Sequence, residues 1–88
     1  MTFREDAVSE FITLFGERRN IISGFPGCTH LELWQDGRQP NVFFTYSHWD
    51  TEADLDHYRF SDFFKDTWAR TKALFTDKPQ AWSVIRLA

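Results

Sequence analysis

The chain predicts a single α+β domain with the element order β-α-β-β-α-β and helices covering one face of an antiparallel sheet. Three observations carry that prediction. Apolar residues recur at helical spacing in two stretches, Val8–Ile22 and Phe63–Phe75. Between them lie two alternating, aromatic-rich stretches separated by turn residues, the pattern of a hairpin. The 88 residues contain one cysteine, so a packed core rather than a disulfide framework must hold the fold.

The first strand is short, because the first helix begins only a few residues after Met1. Val8, Phe11, Ile12, Phe15, Arg19 and Ile22 form one stripe, with the aliphatic stem of Arg19 laid along it. Asp6 is placed as the N-cap, and Gly24 before Phe25-Pro26-Gly27 as the stop, giving a helix from about 6 to 23. Cys28 to Trp34 alternates as a strand, Gln35–Asn41 carries Asp-Gly and Pro-Asn turn signals, and Val42–Trp49 is the return strand. Pairing Trp34 with Val42 puts Glu32 opposite Phe44 and His30 opposite Tyr46. One face then carries Leu31, Leu33, Phe43, Thr45, Ser47 and Trp49; the other carries Cys28, His30, Glu32, Trp34, Val42, Phe44, Tyr46 and His48. A two-residue register error preserves those sets and a one-residue slip scrambles them.

Thr51-Glu52-Ala53-Asp54 reads as a capping box opening a short helix to Arg59. Ser61-Asp62 caps a second helix through Phe63, Phe64, Thr67, Trp68, Thr71, Leu74 and Phe75, with Lys72 and Lys78 near its end and Pro79 beyond it. Ala81–Leu87 is expected to close the sheet as a final strand. The whole is a ferredoxin-like arrangement. Its second sheet face, with Trp34, Val42, Phe44 and Tyr46, is too aromatic for water and predicts association with another sheet.

Composition narrows the function. Ten Lys and Arg against thirteen Asp and Glu give a formal charge of −3, with no basic stripe for a nucleic-acid backbone. No apolar run approaches the length of a bilayer-spanning helix, and the N-terminus lacks the pattern of a signal peptide, so a cytoplasmic protein is expected. Gly-rich phosphate loops, H-E-x-x-H and paired-Cys signatures are absent from the sequence. The lone Cys28 reads as a buried or half-buried structural thiol.

Phe25-Pro26-Gly27-Cys28, Leu31-Glu32-Leu33, Pro40-Asn41-Val42-Phe43, Trp49-x-Thr51-x-x-x-Leu55-x-His57 and Ser61-x-x-Phe64 together resemble the antibiotic biosynthesis monooxygenase domain family over nearly the whole chain. The resemblance implies one domain over residues 1–88 and a homodimeric α/β barrel in which two sheets face one another. It also implies a ligand cleft between each sheet and its own helices. Relatives generally carry several more strand residues ahead of the position of Met1, so the first strand is expected to be clipped.

Family members include oxygenases of hydroquinones and anthrones that use neither metal nor flavin, heme-degrading enzymes, a sugar-phosphate isomerase and proteins of no known activity. In the heme-degrading pattern, Trp68 falls where the iron-ligating His belongs and Tyr58 where a Trp belongs, so heme is not expected. In the aromatic oxygenases an Asn and a Trp stand four apart on the central strand; here Trp49 matches and Thr45 replaces the Asn.

The resemblance therefore points to a cofactor-free monooxygenase of a small aromatic substrate. His57 is the candidate base, Thr45 and Ser47 are hydrogen-bonding groups, and Trp49, Tyr58, Phe64 and Trp68 are ring-binding walls. His57 also reads as a packing or surface histidine, and Tyr58 and Trp68 also read as core residues. His30, Glu32 and His48 have side chains of the metal-ligating kind, but a polar cluster at a dimer interface accounts for them, and no metal is expected. The alternatives are a non-catalytic dimeric module that binds a small apolar molecule, or an isomerase of a small metabolite.

Overall fold

Residues 1–88 are described by a computed structural model. A 3₁₀ turn at Glu5–Ala7 leads into helix α1 (Val8–Ser23). Strands β1 (Cys28–Gln35) and β2 (Phe43–Trp49) form the hairpin, and helices α2 (Glu52–Arg59) and α3 (Asp62–Lys72) follow. The molecule is a slab of 36 × 34 × 21 Å, about the thickness of one helix layer on one sheet.

β1 and β2 pair antiparallel as a two-stranded sheet. Single bridges from Thr2 to Val42 and from Phe3 to Phe75 widen it. The Phe3 N–H donates to the Asn41 carbonyl and the Phe43 N–H to the Met1 carbonyl, both at 2.9 Å. On the other side, the Arg4 N–H donates to Leu74 and the Thr76 N–H to the Thr2 carbonyl, also at 2.9 Å. The spatial order across the sheet is therefore Leu74–Thr76, Thr2–Arg4, β2, β1. That is the ferredoxin-like order with its first and last strands, neighbours at one side of the sheet, reduced to short extended segments.

The expected C-terminal strand is not formed: residues 81–88 have no regular structure and are exposed. Its place is taken by Leu74–Thr76, because α3 ends at Lys72 instead of continuing toward Lys78. The turn bonds Leu74 N–H to Thr71 and Phe75 N–H to Lys72 swing the chain back to the sheet. Burial of Leu74 and the contact of the Phe75 ring with Phe3, 5.0 Å between centroids, make this exit favourable.

The core lies where these short segments meet α1. Phe3 is fully buried, stacked on Phe11 at 4.1 Å and set edge-on to Phe43 at 5.8 Å, with Ala7 and Leu74 completing the cluster. Only seven of 88 residues are buried, so this cluster holds most of the hydrophobic stabilisation. Of the expected α1 stripe, Phe11 and Ile22 are buried and Val8 and Phe15 pack on the core, but Ile12 is 48% exposed. Arg18, from outside the stripe, ties α1 to α3: it bonds Asp66 at 2.9 Å and Thr67 at 2.8 Å and sits over the Phe63 ring.

Three local expectations are corrected. Asp6 lies inside the 3₁₀ turn rather than capping α1, whose N-cap is Ala7 with no side-chain bond. Gly24 ends α1 at φ −85°, and the positive φ belongs to Gly27 at 85°. The hairpin register is shifted by two: Trp34 opposes Phe44, Glu32 opposes Tyr46 and His30 opposes His48. The side-chain sets survive that shift, as period-two geometry requires, with one exception. A bulge between Cys28 and His30 pairs Cys28 with Trp49 and so moves the thiol to the Trp49 face.

No helix is long and apolar enough to cross a membrane.

Candidate functional site

The sheet has two unlike faces. The outer one carries Trp34 and Phe44, both more than 40% exposed, beside a chain of polar rings. Trp34 stacks on Tyr46 at 4.8 Å, Tyr46 meets His48 edge-on at 4.8 Å, and His48 meets His30 at 5.6 Å. Glu32 contacts His30 and accepts from the Trp34 indole at 3.0 Å. The indole bond, and then the bond to His30, holds the Glu32 carboxyl below its usual range.

The inner face leads into the helices, and there the candidate residues meet. Trp49, at the end of β2, stacks on Tyr58 of α2 at 5.1 Å with a 21° interplanar angle. Tyr58 meets Phe64 of α3 edge-on at 5.1 Å, Phe64 stacks on Trp68 at 6.1 Å, and Trp68 meets Phe75 at 5.6 Å. The wall is therefore continuous from the sheet end to the core. Ser47 joins it by accepting the Trp49 indole N–H at 3.1 Å. Thr45 is on the same face, opposite Leu33, and is exposed without a side-chain hydrogen bond.

Local chemistry positions this wall. The Thr51 hydroxyl accepts the Asp54 N–H at 3.1 Å and starts α2 directly after Trp49. Ser61 serves both sides of the α2–α3 junction: its hydroxyl donates to the Tyr58 carbonyl at 2.7 Å and accepts the Phe64 N–H at 3.1 Å. That one side chain sets the spacing of the Tyr58 and Phe64 rings. Gly27, in a left-handed conformation, brings the turn before β1 so close to α2 that a Cβ there would collide with the Asp54 side chain.

Burial pushes the Tyr58 phenol up to about 12, the charge of a neighbouring Cys28 thiolate adding to the effect. The phenol is thus neutral and a donor through the physiological range. Its hydroxyl makes no hydrogen bond within the protein. Burial likewise raises the Cys28 thiol, partly offset by its contact with the His30 carbonyl, so Cys28 stays protonated.

His57 stands apart from the stacked wall. It is exposed on α2, makes no side-chain hydrogen bond, and its ring is 6.2 Å from Phe25, which in turn meets Tyr58 at 5.0 Å. The structure thus brings Ser47, Trp49, Tyr58, Phe64 and Trp68 together, leaves Thr45 on the open part of the same face, and sets His57 at the rim. Phe25 and Cys28 also belong to the surroundings of Tyr58 and were not among the expected site residues. In the sequence Phe25 marks a helix stop and opens the Phe25-Pro26-Gly27-Cys28 motif with no role at the site, and Cys28 reaches this face only through the bulge.

Two open clefts flank α1 instead of the aromatic wall. One of about 610 Å³ lies against α3, among Glu10, Thr13, Glu17 and Arg70. The other, about 400 Å³, lies against β1, among Ile12, Phe15, Arg19, Leu31 and Leu33. Neither contains a candidate site residue.

A helix layer on an antiparallel sheet, with a half-buried aromatic wall between them, defines a small α+β domain. The chain belongs to the antibiotic biosynthesis monooxygenase family, whose family profile matches residues 1–70. Solved structures share the fold. A conserved protein from Methanosarcina mazei Go1 superimposes with a TM-score of 0.82 at 21% identity, over 88% of this chain and 76% of that one. An antibiotic biosynthesis monooxygenase gives 0.80 at 19% identity, over 88% and 81%. A candidate antibiotic biosynthesis monooxygenase from Deinococcus radiodurans gives 0.79 at 18% identity, over 99% and 91%. No functionally curated protein matches the chain in sequence.

Proposed function

We propose that the protein is a cofactor-independent monooxygenase of a small electron-rich aromatic, a hydroquinone or anthrone, working as a homodimer joined through the outer sheet face. The observation that carries this reading is the Trp49–Tyr58–Phe64–Trp68 wall with an unpartnered phenol donor inside it. A flat ring lies against such a wall by offset stacking, and its oxygen accepts from Tyr58.

In this reading the substrate is its own reductant. A base at the rim, His57, removes a proton from the phenol or the anthrone methylene. The resulting anion transfers one electron to O₂. The substrate radical and superoxide combine to a hydroperoxide, which loses water to leave a carbonyl. For an anthrone, the methylene plus O₂ gives the quinone carbonyl plus one water. The Tyr58 phenol, neutral because it is buried, stabilises the developing phenolate oxygen by hydrogen bonding. The aromatic wall orients the ring and excludes water.

Exposure of Trp34 and Phe44 supports the dimer. A second reading, a non-catalytic module that binds a small apolar molecule, is favoured by one observation: His57 is exposed and no neighbouring group orients it. Oxygen uptake by chelator-treated protein against a panel of hydroquinones and anthrones decides between them. Saturable uptake that is lost in Tyr58→Ala and Trp68→Ala, and reduced about 10²-fold in His57→Ala, is the expected result. Tryptophan quenching by the same compounds without uptake would establish the binding module and overturn the enzyme.

A further inference from the structure

The outer sheet face carries a titratable cluster that the aromatic wall does not use. On β1, His30 contacts the Glu32 carboxylate, and the Trp34 indole donates to the same carboxylate at 3.0 Å. On β2, His48 Nε2 bonds the Tyr46 hydroxyl. The register sets His30 directly opposite His48, with 5.6 Å between ring centroids, and Glu32 opposite Tyr46. Two imidazoles, one carboxylate and one phenol thus form a four-cornered patch flanked by the exposed Trp34 and Phe44 rings. Two charged residues stand beside it. Arg19 of α1 shares the cleft at the edge of β1 with Glu32, and Asp50 follows His48 just past the end of β2; neither forms an ion pair with the cluster.

The surface area points to a second copy as the cover for this face. The chain exposes 6583 Å², whereas a folded monomer of 10.5 kDa exposes about 5,400 Å². The extended residues after Thr76 contribute part of the excess of about 1,200 Å², which exceeds the roughly 800 Å² that each partner buries in a standard interface. We propose that pairing of two copies through this face is governed by the protonation of the His30–Glu32–His48–Tyr46 cluster and is tightest when each cluster holds a single imidazolium. The inference rests on the homodimer reading above and adds to it a dependence on pH.

Charge counting gives the direction on each side. One imidazolium, on His30, neutralises Glu32, and a neutral His48 accepts from the Tyr46 hydroxyl, so every polar group of the patch keeps a partner when water leaves. A second proton, on His48, sets two like charges side by side with one carboxylate between them. Loss of the His30 proton strands the opposite charge. The Trp34 and His30 bonds hold the Glu32 carboxyl below its usual range, so the carboxylate stays ionised without a counter-charge. In a two-fold pair the same patch is present on both copies, so either excess charge is met by its like across the interface. In the separated chains water solvates it. Histidine changes charge between about pH 5 and 8, which places both limits around neutrality.

Sedimentation equilibrium of the full chain across about pH 5 to 9 tests the proposal, with circular dichroism at each pH to establish unchanged helix content. The dimer dissociation constant should pass through a minimum near neutral pH and rise at least about tenfold toward each end. His48→Gln keeps a hydrogen-bonding group but takes no proton; it should abolish the acid rise and retain the alkaline one. Glu32→Gln removes the charge that needs compensation and should abolish the alkaline rise. Both side chains lie on the exposed sheet face, outside the core, so the variants should fold as the parent does. A dimer whose dissociation constant is flat over the range overturns the proton-governed cluster and leaves the homodimer standing; a chain that is monomeric at every pH overturns both. An acid rise that persists in His48→Gln overturns the assignment of the second proton to that residue.

Discussion

Tyr58→Phe removes one oxygen atom and separates ligand recognition from folding. The ring keeps its stack on Trp49 and its edge contacts with Phe25 and Phe64. The lost hydroxyl has no hydrogen bond within the protein, so stability should change by no more than about 0.5 kcal/mol. An aromatic ligand whose oxygen accepts from that hydroxyl loses a bond of about 0.5–1.5 kcal/mol, which weakens binding roughly 2- to 13-fold. Titration of tryptophan fluorescence with a hydroxynaphthoquinone reads the affinity, and urea unfolding reads the stability. Unchanged affinity would refute the role of the phenol. A large loss of stability would show that the hydroxyl serves the fold instead.

The same residue makes an alkaline prediction: with its folded value near 12, above the ordinary tyrosine value, Tyr58 favours the fold below about pH 10, and that contribution is lost as pH rises through 10 to 12. After discounting for partial solvent screening, the loss is about 1–2 kcal/mol, and absorbance at 295 nm should show a late-titrating phenol that vanishes in Tyr58→Phe. Phe3→Ala should cost about 3–5 kcal/mol, since the ring is fully buried among Phe11, Phe43 and Phe75, and should leave the chain largely unfolded by circular dichroism at 37 °C. Gly27→Ala meets a positive φ and the Asp54 side chain together and should lower stability by about 1–3 kcal/mol in thermal melts. Ser61→Ala should cost about 0.5–2 kcal/mol and loosen the α2–α3 junction, raising hydrogen exchange at the Phe64 amide.

Elements with local signals were readable from the residues. The α1 periodicity, the Thr51 and Ser61 caps and the alternation of β1 and β2 each appear in the structure within a residue or two of the expected place. What was not readable depends on distant partners. Ala81–Leu87 has the composition of a strand, but a strand needs an edge, and Leu74–Thr76 already occupies the one within reach. The register was off by two because a seven-residue connection with several turn signals accommodates more than one pairing. The bulge that carries Cys28 across the sheet has no signature in Cys28-Thr29-His30.

The candidate site followed the same division. Trp49, Tyr58, Phe64 and Trp68 could be expected to converge once the elements were ordered, and their rings do stack. The place of His57 could not be read so easily, because adjacent residues on a helix point about 100° apart and Tyr58 takes the inward direction. Phe25 reaches Tyr58 only because Gly27 lets the turn fold against α2.

Mass spectrometry of the product formed from an anthrone under ¹⁸O₂ tests the proposed chemistry most directly. A monooxygenase working through a substrate hydroperoxide places one labelled oxygen in the quinone, raising its mass by about two daltons in short incubations. The second atom leaves as water. Unlabelled quinone under ¹⁸O₂, with label entering from H₂¹⁸O instead, would contradict oxygen insertion, and absence of product above the boiled-protein control would leave the aromatic wall as a binding site alone.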